Sequence, residues 1–398
     1  AQQALTVELM RWMLISTVIF GVSGVLMGIL NAQQHFLLPA LAPIIYNTSI
    51  IAGAWFLGPV WGVRGLTAGV VIGAAGHLLT QIPGLLRGSN RMSYRPILAA
   101  RDPSLHEVGR LMAPRVLGLA AVQINFMVTA VLAAGLSEGS LTALNYGWII
   151  MLLPQGIIAL SVATALFPTL ASLEAEGNRA EMRHIFTATL RNLLFLTLPA
   201  AIGLLVLSEP IVRLLLERGA FDAQSTQATA VALRFFAIGL VGHALVEITT
   251  RAFYALKNTK TPVAIGILAM LMNIILSVAL MYLFDSWGWQ PQGGLALANS
   301  VAVTLEMIVL LLLLRNPLGG FRASELQASI LKISTAGAGM AAVLLAVMPL
   351  LNLADRWSGG IIGILLGSCV YLGLAHLLGT PELESIRRQL LRQRFRRS

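Results

Sequence analysis

Cysteine occurs once, at Cys369, which excludes a disulfide framework and any cysteine-based metal cluster. Charge is also scarce. Asp, Glu, Lys and Arg make up 11% of the 398 residues, too little polar surface to cover a soluble domain of that length. No GxxxxGK[ST] loop occurs, so the chain carries no ATPase of that type. The six histidines (His35, His77, His106, His184, His243 and His376) form no HExxH-like pair. The 17 acids fall mostly in connections, as Glu174, Glu176 and Glu181 do. A membrane enzyme would need clustered acids, a nucleophile or a metal set. The expectation is therefore a protein that is not an enzyme and uses no metal or cofactor.

What the chain does have is eleven apolar stretches, near 10–30, 40–60, 63–86, 112–136, 144–171, 189–208, 228–254, 262–284, 293–314, 328–351 and 359–379. Each is close to the ~20 residues that cross a ~30 Å hydrocarbon core as a helix. Backbone polar groups cannot stay unpaired in lipid, so runs this long and apolar must be helical. The fold class expected is an all-α polytopic membrane protein.

The basic residues set an orientation. With Asn31–Phe36 in the cytoplasm, cytoplasmic connections hold 21 of the 27 Lys and Arg residues, among them Arg87, Arg91, Arg95, Arg101, Arg110 and Arg115 and the tail Arg387–Arg397. The other face holds Arg11, Arg64, Arg213, Arg218, Arg234 and Arg356. The net charge of +10 is thus mainly topological. Charges spread over inter-helix loops argue against nucleic acid as a partner. The Arg-rich tail is expected to meet anionic lipid headgroups. The first span enters from the outside, and the chain starts at Ala1 without a signal-like region, so further spans are expected upstream.

The expected division is 1–86 with three spans, a basic cytoplasmic linker at 87–109, a six-span bundle at 110–325, two appended spans at 326–380 and a basic tail at 381–398. The connection 172–188 mixes charged and apolar residues at helical spacing and reads as an amphipathic interfacial helix. The connection 209–227 reads the same way on the other face. A weak repeat runs through the chain. LPALAPIIYN followed by GLTAGVVIG from Gly65 parallels TKTPVAIGILAMLMN followed by GLALANSVA from Gly294. Transporters often place substrate between such halves.

Polar groups inside spans usually face a cavity or a partner. The substrate-binding candidates are Arg115, Gln123, Asn125, Asn145, Asn47 and Arg251, with Gln155 and Glu306 also inside spans. Glu247 and Arg251 are four apart on one helix face, which favours an ion pair over a direct substrate role. His77 and His243 read as interface residues rather than proton carriers. Gly65, Gly69, Gly73 and Gly76 form a stripe that lets helices approach closely.

The segments LPALAPIIYNTSII, MAPRVLGLAAVQINFMVTAVLAAGLSEGSLTALNY, MLLPQGIIALSVATALFPTLA and RAFYALKNTKTPV resemble the MurJ (MviN-type) lipid II flippases of the MOP superfamily, which also contains MATE drug exporters and polysaccharide flippases. The resemblance runs from about residue 5 to the end. It implies a MATE/MOP-like two-lobe helix bundle plus two extra C-terminal helices, with the eleven spans here matching the fourth to the fourteenth of that fold.

The function implied is movement of undecaprenyl-pyrophosphate-linked disaccharide-pentapeptide across the bacterial cytoplasmic membrane by alternating access, for peptidoglycan synthesis. The last two spans would form a groove for the lipid tail. Lipid II, membrane lipids and cell-wall synthesis proteins are the implied partners. Alternatives are a flippase for another polyprenyl-linked glycan or a MATE-like ion-coupled multidrug exporter. An exporter of cations should show acids in its cavity spans, and here only Glu247 and Glu306 lie deep.

A cavity arginine of the family usually follows a Tyr-Ala-x pattern. The matching stretch is Tyr146-Gly147-Trp148-Ile149, with Ile149 at the arginine's place. Either Arg115 supplies the charge or the substrate differs. Some members bind sodium through a carboxylate after the QIN pattern and an Asn-x-x-x-Asp pair. The matching positions are Thr129, Asn273 and Ser277, without either carboxylate, so a strong sodium site is not expected. Proton or membrane-potential coupling stays open.

Overall fold

The computed structural model describes residues 2–33, 35–86, 103–321, 323–353 and 356–384, with few side chains described between 103 and 121. It falls into two compact units, Ala1–Leu105 and His106–Ser398. Helix is the only extended secondary structure among the described residues.

The first unit holds α1 (Gln2–Ala32), α2 (Leu37–Trp61) and α3 (Val63–Leu86). A π turn, Gly53–Leu57, interrupts α2. The expected glycine stripe on α3 meets the α2 backbone. A Cβ on Gly65 would lie 2.4 Å from the Leu57 carbonyl carbon, and one on Gly69 2.9 Å from the Ser49 oxygen. Close backbone approach of this kind substitutes for the hydrophobic drive that helices lack inside lipid. On its other side α3 is tied to α1 by buried polar groups. The Ser23 hydroxyl lies 2.7 Å from His77 Nδ1, and Gln81 Nε2 donates to Ser23 Oγ at 2.7 Å.

The second unit holds α4 (Pro103–Ala134), α5 (Ser140–Ala175), α6 (Arg179–Val206), the short α7 (Ser208–Leu216), α8 (Ala223–Ala255), α9 (Lys260–Ser286), α10 (Pro291–Arg315), α11 (Ala323–Leu353) and α12 (Arg356–Leu377). Helix α8 is the centre. It packs on α5, α6 and α10, and α9 packs in turn on α10. Helices α11 and α12 pack on each other and on α6 and α7. A second π turn, Gln155–Leu160, follows Pro154 inside α5.

Among the described residues ten helices are long and apolar enough to cross a membrane, and all match expected spans. The remaining expected span, 112–136, coincides with α4 up to Ala134, where Val122–Ala134 is a shorter apolar stretch among the described residues. The 172–188 reading needs correction. No interfacial helix lies there. Helix α5 runs to Ala175, Gly177 turns the chain at φ +71, and Asn178 caps α6 by accepting from the Glu181 N–H at 3.2 Å. The alternating charges sit on the ends of two spans. The 209–227 reading holds in part, since Ser208–Leu216 is a short helix with Arg213 paired to Glu209 at 2.8 Å.

Asp222 caps α8, its Oδ1 accepting from the Ser225 N–H at 2.9 Å. That backbone hydrogen bond holds its carboxyl below the ordinary carboxylate range. A depressed pKa means the cap's contribution is present above the ordinary value and fades as pH falls through the folded one. The melting-temperature advantage of wild type over Asp222→Ala is expected to shrink as pH is lowered through that range. A pH-independent gap would contradict it.

Candidate functional site

Asn125 and Thr129 are four apart on α4, and Asn273 and Ser277 four apart on α9, so each pair shares a helix face. The fold brings the two faces together. Asn273 Nδ2 donates to Asn125 Oδ1 at 3.2 Å, and Ser277 Oγ donates to Asn273 Oδ1 at 3.2 Å. Thr129 Oγ1 donates to the Asn125 carbonyl at 3.0 Å. Asn273 and Ser277 are buried. One expected substrate residue and all three expected ion-site residues thus form one neutral cluster. Asn125, Asn273 and Ser277 bond one another, Thr129 bonds back to its own helix, and the set holds no carboxylate. Without a carboxylate the set offers a desolvated cation only neutral oxygens.

The other candidates disperse. Gln123 and Asn145 are exposed, and Asn47 is exposed in the first unit. Arg251 Nη2 donates to Glu247 Oε1 at 2.8 Å, the expected i,i+4 pair, both side chains about one third exposed (35% and 31%). Arg115 lies on α4, but its side chain is outside the described residues.

Ile149 is exposed beside Trp148, whose ring packs edge-on to Phe126, Phe236 and His243 at 6.0, 5.3 and 5.3 Å. His243 Nε2 lies 3.0 Å from Asn299 Oδ1 across the α8–α10 interface. Both His77 and His243 thus sit between helices. Asn299 is a polar contact that sequence reasoning passed over, although an asparagine inside GLALANSVA is itself a signal.

Glu306 stands on α10 opposite Gly266 of α9, where a Cβ would lie 3.5 Å from Oε1. Among the described residues no group of three or more His, Cys, Asp and Glu side chains gathers to hold a metal.

A second feature is apolar. Helices α6, α7, α11 and α12 wall a cavity of about 410 Å³, lined by Phe195, Pro199, Leu204, Met340, Ile364 and Tyr371 among others. Glycines at 203, 363 and 367 keep it open by withholding side chains. Tyr371, polar like Ser368 in the same lining, spends its hydroxyl on the Phe195 carbonyl at 2.8 Å.

The sequence model of one protein family, described as lipid II flippase MurJ, matches residues 1–359. The chain belongs to the MurJ lipid II flippase family. A relative from Bdellovibrio bacteriovorus, named a probable lipid II flippase MurJ, is 33% identical over 370 residues, 91% of this chain and 69% of its own length. Relatives of the same name from Vibrio cholerae and Haemophilus influenzae are matched over 53% and 55% of their length, so the chain spans about half of those proteins. The solved structure titled lipid II flippase MurJ, inward closed conformation, superposes with a TM-score of 0.76 at 28% identity, covering 92% of this chain and 73% of that one. A multidrug MATE transporter of the MOP superfamily reaches a TM-score of 0.53 at 17% identity over 79% of this chain and 70% of its own, a likeness of fold alone.

The MurJ family consists of transporters rather than enzymes, and the expected all-α, multi-span architecture is the one observed. Family membership leaves the small-cation exporter without support.

Proposed function

We propose that this chain moves lipid II, the undecaprenyl-pyrophosphate-linked peptidoglycan precursor, across the bacterial cytoplasmic membrane by alternating access. The observation that carries the reading is the apolar groove between α6, α11 and α12, in a chain of the MurJ family. A polyprenyl tail must stay in an apolar path while its pyrophosphate crosses a low-dielectric interior. The groove supplies that path.

The pyrophosphate needs guanidinium partners, which bind it bidentately. Arg115 is the candidate, because Ile149 stands where the family pattern has an arginine. Gln123 and Asn145, exposed on α4 and α5, would meet the glycan. Asn47 is the candidate on 1–86, and Arg251 is paired with Glu247. Transport requires that substrate bind the inward- and outward-open states with different affinity.

On this reading 1–86 belongs to one lobe, 87–109 is the linker, 110–325 is the second lobe, and 326–380 carries the tail groove. The C-terminus lies in the cytoplasm, where the arginines of 381–398 meet anionic headgroups, and cell-wall synthesis proteins are partners.

Complementation tests it. In a bacterium depleted of its own lipid II flippase, the wild-type whole gene is expected to restore growth and Arg115→Ala to abolish rescue. Ile149→Arg should leave rescue intact. Failure of a well-expressed, inserted wild type to rescue would count against lipid II as the substrate.

A further inference from the structure

Beneath the apolar groove, a single carboxylate joins three helices. Gly379, at φ +60, stops α12, and the Gly379 and Thr380 N–H groups bond back to the His376 and Ala375 carbonyls at 3.1 Å. Pro381 follows. The turn carries Glu382 under α6 and α11, where it is 1% exposed. Its Oε1 accepts from Arg191 Nε at 2.8 Å, from Arg191 Nη2 at 2.7 Å and from Ser329 Oγ at 2.6 Å. Lys332 Nζ donates to the Gly379 carbonyl at 2.9 Å. One turn along α6 from Arg191 is Phe195, whose carbonyl holds Tyr371 in the groove. Arg183, two turns the other way, donates to the Gly319 carbonyl at 2.9 Å and so ties the α10–α11 connection to the same helix.

The groove walls are apolar side chains and glycines, and helices in lipid have no hydrophobic drive to associate. Packing alone leaves the spacing of such walls loosely set. A buried ion pair is a poor source of stability but a strong source of geometry, because separating it strands a charge in low dielectric. We propose that Glu382 is a positioning residue for transport, clamping α11 and α12 to α6 through Arg191 and Ser329 and so setting the width of the groove for an isoprenoid chain. This rests on the tail-groove reading above.

Two measurements separate the layers. The first replaces Ser368, exposed on the groove, with p-benzoylphenylalanine and photolabels with undecaprenyl phosphate in membranes. The second places spin labels on native Cys369 of α12 and on Leu205→Cys of α6. The intact clamp is expected to give labelling and one narrow distance. In Glu382→Ala labelling should fall at least fivefold and the distance broaden, while the exchange Arg191→Glu with Glu382→Arg restores both. If Glu382→Ala does not insert, Glu382→Gln, which removes the charge and keeps the shape, is read the same way. Unchanged labelling and an unchanged distance in the variants would overturn the clamp alone. Absence of labelling in the unmutated background would overturn the tail-groove reading and the clamp's role with it, whatever the distances.

Discussion

With Thr129→Asp and Ser277→Asp combined, sodium is expected to become a stabilising ligand, whereas wild type should melt at the same temperature in sodium and potassium chloride of equal ionic strength. Asn125, Asn273 and Ser277 already meet, and Thr129 shares the Asn125 face of α4. Asn125 and Asn273 are bonded at 3.2 Å, and positions 129 and 277 lie one turn on along the same two helix faces. What the cluster lacks is charge. Two carboxylates would supply it at positions otherwise spent on internal hydrogen bonds.

Without sodium the double variant should be less stable than wild type, because two carboxylates forced together in a buried place repel and lose hydration. With sodium at a hundredfold excess over Kd, binding restores about 2.7 kcal/mol. The sign of the ion dependence is the test. A double variant that folds and melts identically in both salts would show that geometry, and not charge alone, is missing from the cluster.

The largest loss of fold is expected from Gly294→Val. A Cβ there would lie 2.5 Å from the Leu280 oxygen, 2.7 Å from its carbonyl carbon and 2.9 Å from the Met281 nitrogen. All three are backbone atoms of α9, so no rotamer relieves the clash and the two helices must part. Overpacking of this kind costs about 1–3 kcal/mol or more. Here it opens the contact between α9 and α10 along its length. Gly373→Ala on α12 is the control, since nothing lies within 4 Å of its Cβ position. It should be neutral, or stabilising by up to ~1 kcal/mol through helix propensity. Monodisperse yield from detergent and melting temperature decide it. A Gly294→Val protein with wild-type yield and melting point would mean that the α9–α10 contact is not needed for the fold.

The spans were legible because lipid leaves the backbone no alternative to helix, and most ends moved by only a few residues, although α6 starts at Arg179, ten before the expected 189. The 172–188 segment shows where that logic fails. Its charges alternate convincingly, yet Gly177 and Asn178, a turn residue and a cap side by side, were the better signal. The polar cluster was readable in pieces. Spacing of four put Asn273 with Ser277 and Asn125 with Thr129, but which two helices would face each other is a tertiary fact. Arg191 and Glu382 stand 191 residues apart with no shared pattern, and Glu382 sat in what read as the start of a basic tail. Only the turn at Gly379 brings them together.

In α5, residue number and direction of projection come apart. Before Pro154 the buried positions are Ser140, Ala143, Leu144, Gly147, Ile150 and Met151, and unbroken counting at 3.6 residues per turn would continue near 158, 161, 165 and 169. The buried positions are instead Ala159, Ala163, Leu166 and Leu170, each about one place late. The wider turn at Gln155–Leu160 absorbs a residue and rotates everything after it by roughly 100°. A segment moved between α5 and an uninterrupted helix must therefore carry a one-residue offset beyond Leu160. Without it, its lipid-facing side chains would turn into the bundle.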